Sequence, residues 1–140
     1  MVDAAALGDV HGRQVELDDL LATSDVISLH RPLTDETHGM ITTARLDLLR
    51  PGTILVNTAR GELIADGALA PRLERGDLTA ALDVFAPEPL PVDDPLLAAP
   101  GTVLTPHLGF RTPQALRRMA DGVVTVVEAF CAGRLINVVN

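Results

Sequence analysis

The stretch Leu55-Val56-Asn57-Thr58-Ala59-Arg60-Gly61 decides how the chain reads. Ile54, Leu55 and Val56 form the apolar run a buried strand needs, and the next residues turn polar and end on Arg60 before Gly61. In open α/β sheets, ligands bind outside the carboxyl ends of the strands, so a guanidinium fixed at that edge is set to grip an anion. The plainer reading is a solvated arginine on a loop, and this stretch alone leaves both open.

Further strand ends repeat the pattern. Val26-Ile27-Ser28-Leu29 runs into His30-Arg31-Pro32, Ala80-Ala81-Leu82 into Asp83, and Val103-Leu104 into Thr105-Pro106-His107. Apolar runs that each end in a chemical group would bring residues distant in sequence to one edge of a sheet. The segments between them predict helices. Leu17, Leu20 and Leu21 share a helical face ahead of Ser24-Asp25, and Thr42 or Thr43 caps a helix that carries Leu46 and Leu49 and stops at Pro51-Gly52. Asp66 is the N-cap expected for a helix carrying Leu69 and Leu73, which Gly76 ends before a strand over residues 78–82. Residues 1–15 predict at most a short strand near Val15. Strands that are apolar without alternation, separated by helices of about ten residues, imply a parallel sheet covered on both faces, with right-handed crossovers.

Residues 86–100 hold five of the ten prolines and read as an ordered, extended loop. Thr112-Pro113 then opens a long helix over residues 112–132. Its Leu116, Ala120, Val123, Val127 and Phe130 recur at spacings of four and three, which predicts a core-facing stripe before Gly133 ends the helix. With 140 residues, 47% of them hydrophobic, the chain is long enough for one domain with its own core. No internal repeat, low-complexity tract or linker divides it.

The charge balance narrows the partners. A net charge of -8, with eleven arginines and no lysine, argues against a nucleic-acid or anionic-membrane surface and favours small molecules or proteins. Tyrosine and tryptophan are absent, which removes the stacking platforms used on single-stranded nucleic acid. The single cysteine, Cys131, lies in an apolar helical run and is expected to be a buried structural thiol, with no disulfide framework or metal cluster. No run approaches the roughly 18 apolar residues of a membrane span, and Met1-Val2-Asp3 lacks a basic leader, so a cytoplasmic protein is expected. His11 and His38 stand among polar residues and read as solvated. Asp93-Asp94 lacks the ligand set of a calcium or magnesium site, so no metal is expected.

Taken together, Ser28-Leu29-His30-Arg31-Pro32-Leu33-Thr34, Asn57-Thr58-Ala59-Arg60-Gly61, residues 81–89 and Thr105-Pro106-His107-Leu108-Gly109 follow one another at a familiar spacing. The chain resembles the nicotinamide-binding domain of the D-2-hydroxyacid dehydrogenases over nearly its whole length. Each motif alone is weak, and the combination is specific. The resemblance implies a Rossmann-like α/β fold and hydride transfer between NAD or NADP, with NAD favoured, and a small 2-hydroxy or 2-oxo acid. It implies Arg60, Glu88 and His107 as the catalytic residues. It also implies a cofactor lined by His30, Arg31, Pro32, Thr58, Ala59, Arg60, Asp83, His107 and Gly109.

Elementary chemistry supports these roles. Arginine's planar fork holds a carboxylate by two charge-assisted hydrogen bonds while polarising the neighbouring carbonyl, which suits Arg60 to orienting the acid. Oxidation at C2 requires the hydroxyl to lose a proton as hydride leaves, and histidine titrates near neutral pH, which suits His107 to acting as base and, in reverse, as acid. A carboxylate bonded to an imidazole fixes its tautomer, and Pro87 and Pro89 hold Glu88 rigidly for that task. Asp83 is by resemblance a contact to the nicotinamide carboxamide. A buried aspartate satisfied by backbone amides accounts for it equally well.

The sequence also departs from the family. A dinucleotide fold normally opens with a strand, a G-x-G-x-x-G turn and a helix, whereas Gly8 and Gly12 are spaced differently. By the resemblance Met1 falls after the second strand, so residues 1–140 are expected to form a partial dinucleotide-binding domain. The expected fold is an incomplete doubly wound parallel sheet without its first strand, glycine-rich turn and second strand, and without the substrate domain. Asp3 is then no ribose ligand. Phe110 replaces a glycine common in relatives and narrows the nicotinamide side of the pocket, which bears on substrate identity. The alternative function is a non-catalytic remnant that serves as a protein interaction or dimerisation module. A bare edge at Val26-Ile27-Ser28-Leu29 predicts a homo-oligomer or a partner chain completing the sheet.

Overall fold

Each apolar run becomes a short strand: β1 is Val26–Leu29, β2 Ile54–Asn57, β3 Thr79–Leu82 and β4 Thr102–Leu104. The computed structural model that contains them describes residues 12–138. All three pairings are parallel, in the order β1-β2-β3-β4. The register aligns Leu29 with Asn57, Asn57 with Leu82, and Leu82 with Leu104, so the strands stop in one row. The helices are α1 (Leu17–Thr23), α2 (Thr43–Leu46), α3 (Leu69–Leu73) and α4 (Pro113–Cys131), with single 3₁₀ turns at Gly61–Leu63 and Pro95–Leu97. The chain divides into two compact units at the junction of Leu104 and Thr105.

In the first unit the core lies between one face of the sheet and three helices. Leu21 of α1, Leu46 of α2, and Leu69 and Leu73 of α3 cluster with Ile27, Leu29, Leu55, Ala80 and Leu82 of the strands. Leu21, Leu46, Leu55 and Leu73 are fully buried, so truncating any one to alanine costs about 2–5 kcal/mol. Burial nevertheless alternates along β1 and β2, and Val26, Ile54 and Val103 are exposed on the opposite face. Within the first unit α1, α2 and α3 pack on one face of this parallel sheet, in the Rossmann-like α/β arrangement expected. The reason is topological: right-handed crossovers that always step in the same direction deliver every helix to the same face.

Caps and turns follow local chemistry. Thr42 Oγ1 accepts from Arg45 N at 3.2 Å and opens α2 as expected. Thr112 Oγ1 accepts from Ala115 N at 3.0 Å and opens α4, with Pro113 in the first turn. Asp66 does not cap α3. A turn at Gly67, with φ of +65°, intervenes, and the N-cap is Ala68, which makes no side-chain bond. No strand forms near Val15, where residues 12–16 are irregular, and His11 lies outside the described residues. The proline-rich loop is irregular apart from the turn at Pro95–Leu97, which Asp94 caps by accepting from Leu96 N at 2.8 Å.

Arg72 of α3 is buried and closes the end of α2. Its Nε donates to Leu46 O at 3.1 Å and its Nη2 to Leu49 O at 3.2 Å, which satisfies carbonyls that a helix terminus leaves open. The same guanidinium pairs with Asp77. That side-chain hydrogen bond, helped by the charges of Arg72 and Arg75, holds the Asp77 carboxyl below the usual carboxylate range against an opposing desolvation.

The second unit contains α4. The stripe read as core is exposed: Val123 is 65% and Phe130 70% exposed, with Leu116 and Val127 also open. Only Ala129 of α4 is buried. Helical periodicity identifies residues that favour burial but not what covers them. Cys131 is likewise exposed, against the expectation of a buried thiol.

Candidate active site

Arg60 emerges where β2 runs out. Asn57, the last residue of that strand, is fully buried, and its amide organises the loop beyond. Asn57 Nδ2 donates to Arg60 O at 2.8 Å, and Asn57 Oδ1 accepts from Ala59 N at 3.1 Å. A side chain thus supplies the partners that the loop backbone would otherwise lack. Arg60 itself is exposed, with Nη1 donating to Ala59 O at 2.6 Å.

Gly61 then passes against the loop that follows β3. A Cβ placed on it would overlap the carbonyl carbon and oxygen of Phe85 and stand 2.7 Å from Ala86 N, so glycine is required for the approach. In that second loop Asp83 is buried, and its N–H donates to Asn57 O at 3.0 Å. Glu88 lies exposed between Pro87 and Pro89, the Ala86–Pro87 and Glu88–Pro89 bonds are cis, and its Oε1 accepts from Phe85 N at 3.0 Å. The Arg60 and Glu88 loops therefore meet at Gly61 and Phe85.

At the end of β1, His30 Nε2 and Ser28 Oγ lie 2.8 Å apart. His30, Arg31, Pro32 and Leu33 join Ala59 and Arg60 around an open hollow of about 540 Å³. This wall collects most of the first unit's expected cofactor residues. Thr58 is exposed and is not part of it. Another hollow, of about 550 Å³, lies behind Gly61 against Leu69, Leu82 and Phe85. Its wall does not contain Arg60, so the chemistry favours the hollow at the strand ends.

His107 and Gly109 belong to the second unit. His107 has a left-handed backbone, with φ of +52°, and its N–H donates to Thr105 O at 3.0 Å. Such conformations are uncommon outside glycine and gather at functional sites. Gly109 and Phe110 occupy the centre of a turn closed by Arg111 N donating to Leu108 O at 2.8 Å. The imidazole of His107 and the ring of Phe110 stand edge to face, with centroids 5.8 Å apart and planes at 83°.

Sequence reasoning gave no role of their own to Ser28, Asn57 and Gly61. Ser28 precedes His30 by two residues and so shares its side of an extended chain, a signal that was available. Gly61 carried no comparable signal, because its tight contact is with a segment far along the chain. Among the described residues no group of three or more His, Cys, Asp or Glu is arranged to hold a metal. Among the same residues no helix is long and apolar enough to cross a membrane.

Comparison with known proteins agrees with this fold. Residues 3–109 match the family model described as D-isomer specific 2-hydroxyacid dehydrogenase, NAD binding domain. A hydroxypyruvate reductase of Blautia hydrogenotrophica is 40% identical over 136 residues, which cover 96% of this chain and 42% of that protein. The TT0316 protein from Thermus thermophilus superposes with a TM-score of 0.84 at 44% identity, covering 91% of this chain and 41% of that one. The NAD complex of a D-isomer specific 2-hydroxyacid dehydrogenase from Lactobacillus delbrueckii superposes with a TM-score of 0.82 at 32% identity, covering 90% and 43%. The chain thus spans about two-fifths of the length of these proteins. The matched residues run from before β1 through Arg60, Glu88 and His107 to Gly109, and the chain belongs to the D-isomer specific 2-hydroxyacid dehydrogenase family through its NAD binding domain.

Proposed function

We propose that the chain is the part of a cytoplasmic oxidoreductase that holds the nicotinamide of NAD and acts on a small 2-hydroxy or 2-oxo acid, hydroxypyruvate being the first to test. The observation that carries this reading is the hollow at the strand ends, where His30, Arg31 and Arg60 converge with Pro32, Leu33 and Ala59. Its mixed cationic and apolar wall suits an acid lying beside a flat aromatic amide. Asp83, Thr58 and Gly109 are assigned to the cofactor by the family motifs, with Asp83 taking the carboxamide.

When bound, the nicotinamide accepts or supplies the hydride. Arg60 grips the substrate carboxylate with its fork and so orients the acid. His107 takes the proton from the C2 hydroxyl in oxidation and returns it to the C2 oxygen in reduction. Glu88 has the role of selecting the tautomer that performs this exchange. The lock between the Arg60 and Glu88 loops at Gly61 supports the reading, since groups with separate roles in one site must be held at a fixed spacing.

NADH fluorescence titrated with the 140-residue chain tests the proposal. Binding tighter than millimolar is the expected result. Weaker binding would favour a second reading, a protein interaction module, for which the exposed Val123, Val127 and Phe130 of α4 speak. Both readings accommodate a homo-oligomer or a partner chain, because β1 has a strand neighbour on only one side among the described residues. Light scattering at micromolar concentration measures that assembly. A monodisperse monomer counts against it.

A further inference from the structure

We propose that Phe110 is a positioning residue for His107, fixing the plane of the imidazole from within the second unit. The inference rests on the reading of His107 as the proton carrier, and it adds a group outside the expected set of Arg60, Glu88 and His107. An imidazole rotates about its Cβ–Cγ bond, and the rotation exchanges which ring atoms face a given direction, so a histidine that moves a proton at one substrate atom needs something to hold its plane.

The geometry supplies such a group. The two rings stand 5.8 Å apart at 83°, within the separation and tilt at which aromatic rings attract. The arrangement is built rather than incidental. A turn closed by Arg111 N and Leu108 O folds the chain back immediately after the histidine, and the Thr112 cap fixes where the turn meets α4. The left-handed backbone at His107 sets the direction in which its side chain leaves. Phe110 is 44% exposed, so it has little role in a core. One aromatic pair favours a single ring orientation by about 2- to 12-fold over its alternatives.

The test compares the full 140-residue chain, labelled with ¹³C and ¹⁵N, with its Phe110→Leu and Phe110→Tyr variants by NMR. In the parent and in Phe110→Tyr, the aromatic ring is expected to give a strong Overhauser effect to one carbon-bound imidazole proton, and the couplings across the His107 side chain are expected to report one rotamer. In Phe110→Leu those couplings should average, with the favoured orientation depleted by about 2- to 12-fold. Unchanged couplings in Phe110→Leu, or averaged couplings in Phe110→Tyr, overturn the proposal. A kinetic arm uses a chimera that adds a substrate domain from a relative. There Phe110→Leu should lower kcat by the same factor at constant KM, and Phe110→Tyr should restore it. If Phe110→Leu leaves kcat unchanged while His107→Ala stops turnover, the positioning role fails and the proposed function stands. If His107→Ala keeps full turnover, the proposed function fails, and the NMR couplings still decide what orients the ring.

Discussion

Replacing Gly61 with alanine tests whether the loops bearing Arg60 and Glu88 are locked together. The new methyl would overlap the Phe85 carbonyl group and stand 2.7 Å from Ala86 N, where ordinary contact begins at 3.4 Å. One loop must therefore retreat by roughly 1 Å, and because the obstacle is backbone, no side-chain rotation relieves it. Overpacking of this kind costs roughly 1–3 kcal/mol, and the rigid neighbour puts Gly61→Ala near the top of that range. Alanine also restricts the unfolded chain, which offsets about 0.4–1 kcal/mol. The net loss is about 2 kcal/mol, or a melting point lower by roughly 8 °C in a domain of this size. Thermal unfolding followed by circular dichroism gives the number. The same variant should weaken binding of a 2-oxo acid analogue such as oxamate in the chimera, since the loop that carries Arg60 is displaced. A melting point within about 2 °C of the parent would show that the loops yield freely, and the argument for a rigid lock would fall.

Gly122 provides the contrast, because a Cβ there meets nothing within 4 Å inside α4; Gly122→Ala should stabilise by about 0.5–1 kcal/mol in the same melting experiment. Asp77→Asn should destabilise the protein at neutral pH. The native carboxyl titrates below its ordinary range, so its contribution is complete above the unfolded pKa and fades as pH falls through the lower native one. The gap in melting point between parent and variant should therefore close in acid, and a gap constant with pH would count against the Arg72 pairing. In the chimera, His107→Ala should lower turnover by about 10²- to 10⁴-fold, as loss of general acid-base catalysis does. Arg60→Lys should lower kcat/KM by about 10- to 100-fold, the loss of one charge-assisted bond of a two-pronged grip. Unchanged kinetics in both would remove these residues from the mechanism.

The strands were legible because each apolar run gives way to polar residues at its end: His30, Asn57, Asp83 and Thr105. Thr42 and Thr112 were legible as caps for a related reason, since a hydroxyl just ahead of a helical pattern has one common use. Asp66 misled because Gly67 takes the chain through a left-handed turn before α3 begins. Buried Arg72 was not read at all. Its value depends on carbonyls of α2, which sequence proximity does not reveal. The stripe on α4 was read correctly as a pattern, and its exposure lay outside what that pattern determines, because periodicity is a property of one helix and burial belongs to its surroundings. Family motifs pointed to Arg60, Glu88 and His107. The supports at Asn57, Gly61 and Phe110 come from contacts across loops and turns that only coordinates display.

The common finishing line of the strands makes the sheet a ruler. Leu29, Asn57 and Leu82 are in register, so His30, Thr58 and Asp83 leave the sheet side by side, at intervals of about 4.8 Å set by the strand spacing. Adding or deleting one residue inside a strand would displace the emerging group by about 3.3 Å and turn it to the other side of the chain. The connectors carry no such calibration. Extra length in the turn at Asp66 and Gly67 or in the proline-rich segment near Val92 lies outside the paired residues and leaves the row unmoved. Evolutionary or engineered insertions should therefore accumulate between the elements, while the run from Ile54 to Arg60 keeps a fixed count, because there chain length itself is the positional information.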